Sequence, residues 1–534
     1  MGCSLAVLGK RLFAFCCFLS LVSCQSDKNF SEPGSLVARS GQGSFRFGAA
    51  TAATQIEDGQ VNSDWYHWSL PEDQGGRGEG EDFVGNAVMG YSRALDDAEM
   101  MGELGLDAYR FSVDWSRVEP RLDQVSEEAL AHYRTLIERL VSLNIRPMVT
   151  VHHFSSPLWV HDFMASECPD DQTPSDENLC GWGHPQGAER IIEEIGEHAA
   201  RLAREFGDQV DEWCTLNEPI NYLIASHGAG QFPPGRTYLI GGFDRLMDVY
   251  RNYLRAHVAI YDAIKANDLV DADGDGLASV VGLSLNSIDW VPAHDNQPSD
   301  DRRDERARDR IWYLYHHLYP DSLLDGTFDR DLDFVAEETH SDWKGKLDWL
   351  GIQYYSRNGV TGSPAMFPGV EATLCVGELD MGSCLDPADE THWIPTMGYE
   401  YYEPGLFDVL TDFSARYPDL PLVLTESGLA TNVGKRRAEH IVRTLEQVTL
   451  AREAGVDVRG YYHWSLMDNF EWSEGYLPRF GLYRVDMDTY ERTPTEGAIV
   501  YREIISERKL SAEHSETHGG LGPMTPEPAE SHED

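Results

Sequence analysis

Short apolar runs alternate with longer amphipathic stretches along most of this chain. The runs fall at 45–53, 108–113, 146–152, 210–216, 279–285, 347–354, 420–425 and 458–463. Each has the length and apolar character of a strand buried on both faces. The stretches at 126–143, 185–206, 243–266 and 435–454 repeat their apolar positions at helical spacing. Strand and helix patterns in alternation imply parallel β/α units. Eight such units predict one α/β domain, a single (β/α)8 TIM barrel with long βα loops. The barrel domain is expected over 44–508, and no internal repeat interrupts it.

That architecture makes its own prediction about chemistry. Side chains just past the strands of such a barrel face a common mouth. Here they are Gln55, Arg110, His153, Asn217 with Glu218, Tyr355, Glu426 and Trp464. So many hydrogen-bonding groups at one mouth suit a hydroxyl-rich ligand. Two are glutamates in matched settings, Thr215-Leu216-Asn217-Glu218-Pro219 and Leu424-Thr425-Glu426-Ser427-Gly428. A pair of carboxylates, one protonated and one ionised, is what glycoside cleavage needs.

Length and composition add limits. A chain of 534 residues exceeds the usual barrel, so the loops must absorb the excess. Apolar residues at 41% and aromatics at 11% suffice for a large core. The net charge of −47 argues against nucleic acid, anionic lipid surfaces and polyanionic substrates, all of which it would repel.

The two ends read differently from the middle. Lys10 and Arg11 precede an apolar stretch at 12–22 that is too short to span a bilayer comfortably. It ends in Leu21-Val22-Ser23-Cys24, which resembles a bacterial lipobox. Residues 1–23 are therefore expected to be a lipoprotein-type signal peptide. Cys24 would be the lipid attachment point, holding an exported protein at the bacterial cell envelope; plain secretion is the alternative. Residues 24–43 read as a polar tether, and 509–534 as a disordered acidic tail with little to bury.

Of nine cysteines, Cys3, Cys16, Cys17 and Cys24 belong to the leader or its anchor point. Cys168 and Cys180 bracket one polar loop, and Cys375 and Cys384 another. An oxidising compartment favours a local disulfide at each. Cys214 lies in an apolar run and reads as a buried free thiol. No Cys/His spacing resembles a zinc site. Asp271, Asp273 and Asp275 resemble the start of a calcium loop, but Gly282 stands where its closing Glu belongs. The reading is a local acidic turn, with a calcium site as the alternative.

Taken in order, the motifs resemble those of the family 1 glycoside hydrolases, the β-glucosidase and β-galactosidase group. They run from Phe47-Gly48-Ala49-Ala50-Thr51-Ala52-Ala53-Thr54-Gln55-Ile56-Glu57, through Tyr109-Arg110-Phe111-Ser112 and Trp115-Ser116-Arg117, to the two glutamate motifs. Trp464-Ser465-Leu466-Met467-Asp468-Asn469-Phe470-Glu471-Trp472 and Arg479-Phe480-Gly481-Leu482 complete the set.

The resemblance implies a retaining, β-glucosidase-like exo-β-glycosidase without a cofactor, acting on a small oligosaccharide or glycoside. It assigns Glu218 as acid/base and Glu426 as nucleophile, with Arg110 and Tyr355 bonded to Glu426. Asn217 would bond the sugar 2-hydroxyl. Gln55, His153, Glu471 and Trp472 would read the remaining glycone hydroxyls, and Trp464 would stack on the ring. No phosphate-binding set replaces Glu471-Trp472, so a neutral glycone is expected. Three departures from the family pattern stand out. His153-Phe154 replaces His-Trp, and Gln353-Tyr354-Tyr355 replaces Asn-Tyr-Tyr, both expected at the edge of the glycone pocket. Thr495 replaces a Lys. A catalytically silent sugar-binding protein on the same fold is a second reading, opposed by the two intact carboxylates. Net transglycosylation is a third.

Overall fold

The computed structural model describes residues 27–37, 44–165, 168–367, 369–375 and 380–528. The leader and Cys24 lie outside them. Eight parallel strands close into a barrel. They are β1 (Arg46–Ala50), β2 (Ala108–Ser112), β3 (Arg146–His152), β4 (Glu212–Asn217), β5 (Val280–Asn286), β6 (Trp349–Gln353), β7 (Leu422–Ser427) and β8 (Val458–Trp464). Each matches one apolar run of the sequence within a few residues. Almost every strand residue is buried, because the outer face packs under helices and the inner face fills the barrel.

Eight helices follow the strands in turn. They are α1 (Ala94–Leu104), α2 (Glu127–Ser142), α3 (Pro185–Phe206), α4 (Phe243–Asn267), α5 (Arg302–Trp312), α6 (Glu403–Arg416), α7 (Gly434–Glu453) and α8 (Glu496–Glu507). Their starts are written locally. Ser126 accepts from the Ala129 N–H at the start of α2, and Thr495 accepts from the Ala498 N–H at the start of α8. Thr495, one of the three departures, is thus a helix cap.

The floor of the barrel holds an ion pair between Arg46 on β1 and Glu212 on β4, both buried. At the opposite end the strand register slips. Shifts fall between Cys214 and Asn217, between Ile352 and Gln353, and twice along Leu422–Ser427. Such irregularities re-aim the side chains that follow them. Here those are Asn217, Gln353 and Glu426.

The ends of the domain correct two expectations. The tether expected over 24–43 is packed where it is described. Lys28–Asn29 pairs antiparallel with Lys509–Leu510, and the Phe30 ring lies on Phe45 and Phe47. The tail expected to be disordered is ordered through residue 528. A helix, α9 (Ala512–His518), starts at a Ser511 capping box, and residues 519–528 run on as a strap against α7. Arg443 donates to the carbonyls of Gly522 (2.7 Å) and Pro523 (3.2 Å). Thr525 donates its N–H to Glu439 (2.7 Å), and Met524 is buried. Composition missed this because the strap's partners are buried charges on a distant helix, not apolar residues of its own.

The strap also bonds the segment that carries Met397 and Tyr399. Met524 N–H donates to Thr391 Oγ1 (2.8 Å). Deleting residues 519–534 removes these bonds from Arg443, Glu439 and Thr391, at about 1 kcal/mol per bond, and exposes the surface that Met524 covers. The expected result is a Tm lower by about 5 °C or more by differential scanning fluorimetry. An unchanged Tm would show that the strap stabilises nothing.

Candidate active site

The strand ends open into a cavity of about 280 Å³. His153, Asn217, Glu218, Tyr355, Glu426, Trp464, Glu471 and Trp472 all line it. Gln55 and Arg110 sit behind these groups, both fully buried. All ten sugar-site and catalytic candidates of the sequence therefore converge on one place.

Glu426 lies on β7 between a cation and a phenol. Arg110 Nη1 donates to its Oε1, and Tyr355 OH donates to its Oε2 (2.7 Å). Burial pushes its proton affinity up, and Arg110 and Tyr355 oppose that push. Gly428 follows two residues later. A Cβ there would stand 1.9 Å from the Trp464 carbonyl oxygen, so the strand end can approach β8 only with glycine.

Glu218 has different surroundings. It follows β4 in a left-handed conformation (φ 41°, ψ 58°), unusual for a residue with a Cβ. Its N–H donates to Ser284 O (2.9 Å), and its C=O accepts from the Tyr222 N–H (2.9 Å). These bonds hold the bend. Its carboxylate receives one side-chain bond, from Asn221 Nδ2 to Oε2 (2.9 Å). Burial first, then the Glu426 charge, pushes its pKa up to about 8. Two carboxylates in one cavity are thus separated by environment. Arg110 and Tyr355 oppose the upward push on Glu426, whereas one amide and the more weakly felt Arg110 oppose it on Glu218.

Asn217 bridges this pair to the barrel interior. Its Oδ1 accepts from Arg110 Nη2 (2.6 Å) and Gln353 Nε2 (2.8 Å). Both bonds use the oxygen, which leaves the amide N–H groups for the cavity. Gln353 was expected at the pocket's edge. It is instead fully buried beneath Asn217, where its extra methylene carries the amide to Asn217 Oδ1. Tyr354 points elsewhere and donates to Tyr402 O (2.6 Å).

The wall opposite is aromatic and acidic. His153 stacks on Trp464 and Trp472, with centroids 6.0 Å away from it in each case. Burial, with the Arg110 charge, holds its imidazole neutral. Glu471 accepts from Gln55 Nε2 (3.1 Å), and burial, then Glu474 and Glu426, pushes it well above the usual carboxylate range. Gln55 Oε1 is buried with no protein donor among the described residues. It is an acceptor available to a hydroxyl. Phe154 (φ 67°) and Trp472 (φ 50°) share the strained backbone of Glu218 around this one cavity.

Several lining residues escaped the sequence reading. Asn221, Asn286 and Asn358 add amides, and Phe232, Met397, Tyr399 and Phe480 add apolar surface toward the mouth. Asn286 ends β5 and could have been found from its strand-end position. Asn221 lies on the short helix after Glu218, and the others lie in loops and short strands beyond the barrel, whose paths depend on distant contacts.

Elsewhere, both expected disulfides are present, Cys168–Cys180 and Cys375–Cys384. Cys214 is free and buried, with its sulfur 3.8 Å from Arg110 Nη2. In the acidic loop, Asp271 accepts from the Asp275 and Gly276 N–H groups, and Asp275 accepts from the Leu277 N–H. Asp273 pairs with Arg146. The loop's carboxylates thus bond its own turn, one arginine and the Ser35 hydroxyl.

Comparison with known proteins agrees with this geometry. The family model described as Glycosyl hydrolase family 1 matches residues 40–510. A beta-galactosidase of Pyrococcus woesei is 29% identical over 511 residues, covering 86% of this chain and 96% of that protein. A bifunctional beta-D-glucosidase/beta-D-fucosidase of Bifidobacterium breve is 31% identical, covering 87% of this chain and 97% of its own length. Among solved structures, a beta-glycosidase from Pyrococcus horikoshii superposes with a TM-score of 0.72 at 28% identity, covering 91% and 98% of the two chains.

Proposed function

This chain belongs to glycosyl hydrolase family 1 and is a glycosidase, and from that premise we propose a retaining exo-β-glycosidase acting on neutral terminal sugars. The observation that carries the reading is the unequal treatment of two carboxylates in one cavity. Glu426 holds Arg110 and Tyr355, whereas Glu218 holds a single amide.

In this reading Glu426, ionised, attacks the anomeric carbon, and the carbon–oxygen bond to the aglycone breaks. Glu218 gives its proton to the departing oxygen. The glycosyl ester that forms cancels the Glu426 charge. That charge had helped to raise Glu218, so Glu218 now releases protons more readily and takes one from the attacking water. Asn217 offers its amide N–H to the sugar 2-hydroxyl. Gln55, His153, Glu471 and Trp472 bind the other hydroxyls, over a Trp464 floor. Among the described residues no Lys or Arg lines the cavity to pair with an anionic sugar, and four carboxyl groups do line it, Glu218, Glu426, Glu471 and Glu474, which supports a neutral glycone. The relatives act, by their names, on galactosides, glucosides and fucosides. The same three classes are the substrates proposed here.

A panel of chromogenic β-glycosides compared by kcat/KM tests the glycone. Proton NMR of the first sugar released tests the stereochemistry. The β-anomer is expected to appear first, and an α-anomer would overturn the retaining assignment. We also propose that Cys24 carries a lipid anchor, on the strength of the lipobox-like 21–24 segment. Cys24→Ala should then move the protein from the membrane pellet to the soluble fraction. An unchanged distribution would refute the anchor.

A further inference from the structure

Glu218 and Asn221 are three residues apart and meet across one turn of the short helix Pro219–Leu223. Pro219 fixes the start of that turn, and the Tyr222 N–H bond to the Glu218 carbonyl closes it. Side chains three apart on such a turn lie on one face. Asn221 Nδ2 reaches Glu218 Oε2 at 2.9 Å, and both residues line the cavity. No other side chain bonds the Glu218 carboxylate among the described residues.

We infer that Asn221 is a positioning residue for the acid/base: its amide N–H claims Glu218 Oε2 and thereby assigns the transferable proton to Oε1. The inference rests on the reading of Glu218 as the acid/base. An amide N–H can only donate, so the oxygen it meets must accept. In the neutral acid that oxygen is the carbonyl one, and the hydroxyl is Oε1. As the glycosidic bond breaks, its electron pair goes to the leaving oxygen. The Oε1–H bond breaks with it, and the proton follows to that oxygen. The charge left on Glu218 is shared with Oε2, where Asn221 already donates. In the second step the water oxygen bonds the anomeric carbon, the ester bond to Glu426 breaks, and the water proton returns to Oε1. The bond to Oε2 serves both steps without turning.

The same bond opposes the burial and the Glu426 charge that raise Glu218. The other charged and titratable groups that face Glu218 stay fixed or lie outside Asn221's reach. Arg110 on β2 stays charged. Tyr315, Tyr355 and Tyr399, which sense the Glu218 charge, are pushed up by burial and stay neutral. His153 is held neutral, and Glu426, Glu471 and Glu474 have other partners or positions in the wall. Asn221 therefore acts on one limb of the pH profile.

The test compares pH profiles of kcat/KM for wild type, Asn221→Ala and Glu218→Gln with an aryl β-glycoside. A hydrogen bond to a charged group is strong enough to move the alkaline limb of Asn221→Ala upward by about one pH unit. Asn221→Asp keeps the side chain's size if the alanine variant folds poorly. It replaces the donor by a like charge and moves the same limb upward. A limb that stays in place, or moves down, in both variants overturns the inference. Glu218→Gln separates the two claims. If the alkaline limb persists there, Glu218 is not the acid/base and the proposed function is wrong. If it vanishes there but does not move in the Asn221 variants, only the positioning role of Asn221 is lost.

Discussion

Glu426→Ala is expected to abolish turnover, with kcat down by about 10⁵-fold or more, as when an attacking group is removed from other covalent mechanisms. The bonds that Glu426 holds are the reason. Arg110 and Tyr355 both donate to it, and both bonds favour its ionised form and aim it. Without it the sugar loses its covalent partner, while Glu218 can still protonate the aglycone. Glu426→Gly opens space for a small anion. Azide should then restore part of the activity with an activated aryl glycoside and give a glycosyl azide of inverted configuration. The variant leaves Arg110 buried beside Asn217, so folding must be checked by near-UV circular dichroism. Undiminished hydrolysis by folded Glu426→Ala would end the assignment of nucleophile.

Glu218→Gln should produce an effect that depends on the leaving group. A positioned acid contributes about 10²- to 10⁴-fold to steps that need its proton. Hydrolysis of alkyl glycosides and disaccharides should fall by that much. Dinitrophenyl glycosides, whose aglycone leaves without a proton, should be cleaved with little change in specificity constant. In the wild type, kcat/KM should decline as pH rises through about 8, where Glu218 loses its proton. The same group bears on stability. Its ordinary value is 4.5 and its folded value about 8. Between these pH values the unfolded chain has released a proton that the folded chain keeps. Stability therefore falls as pH rises through that window and levels off above about 8. At pH 7 the cost is on the order of 3 kcal/mol. Glutamine has the same shape and no charge to bury. The variant should melt higher than wild type near neutral pH, with the gap closing in acid. Equal Tm values across that range would contradict the raised proton affinity. Stability given up at the reacting group for catalysis is a common trade.

Motif and periodicity carried much of this. The barrel strands were visible because parallel strands buried on both faces leave unbroken apolar runs. The long helices showed their apolar stripe, and the two glutamates stood out beside Asn217 and Gly428. The Asn221 contact had a local signal in hindsight: a proline after Glu218 starts a helix, which puts the third residue on the same face. Nothing local showed the left-handed bend at Glu218, which depends on a bond to Ser284 from the next strand. The strap at 519–528 was hidden for the same kind of reason. Its anchors, Arg443 and Glu439, lie far back in the sequence.

The sequence alone determined the number and order of the β/α units, the two carboxylates proposed to react and the family. It could do so because hydrophobic periodicity and contiguous motifs are short-range properties. Tertiary structure decided which glutamate is pushed further toward its protonated form. That choice depends on Arg110 and Tyr355 converging on Glu426 from β2 and from the loop after β6, while Glu218 meets burial, the Glu426 charge and, among the described residues, one amide. Proton affinity is set by neighbours within a few ångströms in space, and the closed barrel supplies them from distant parts of the chain.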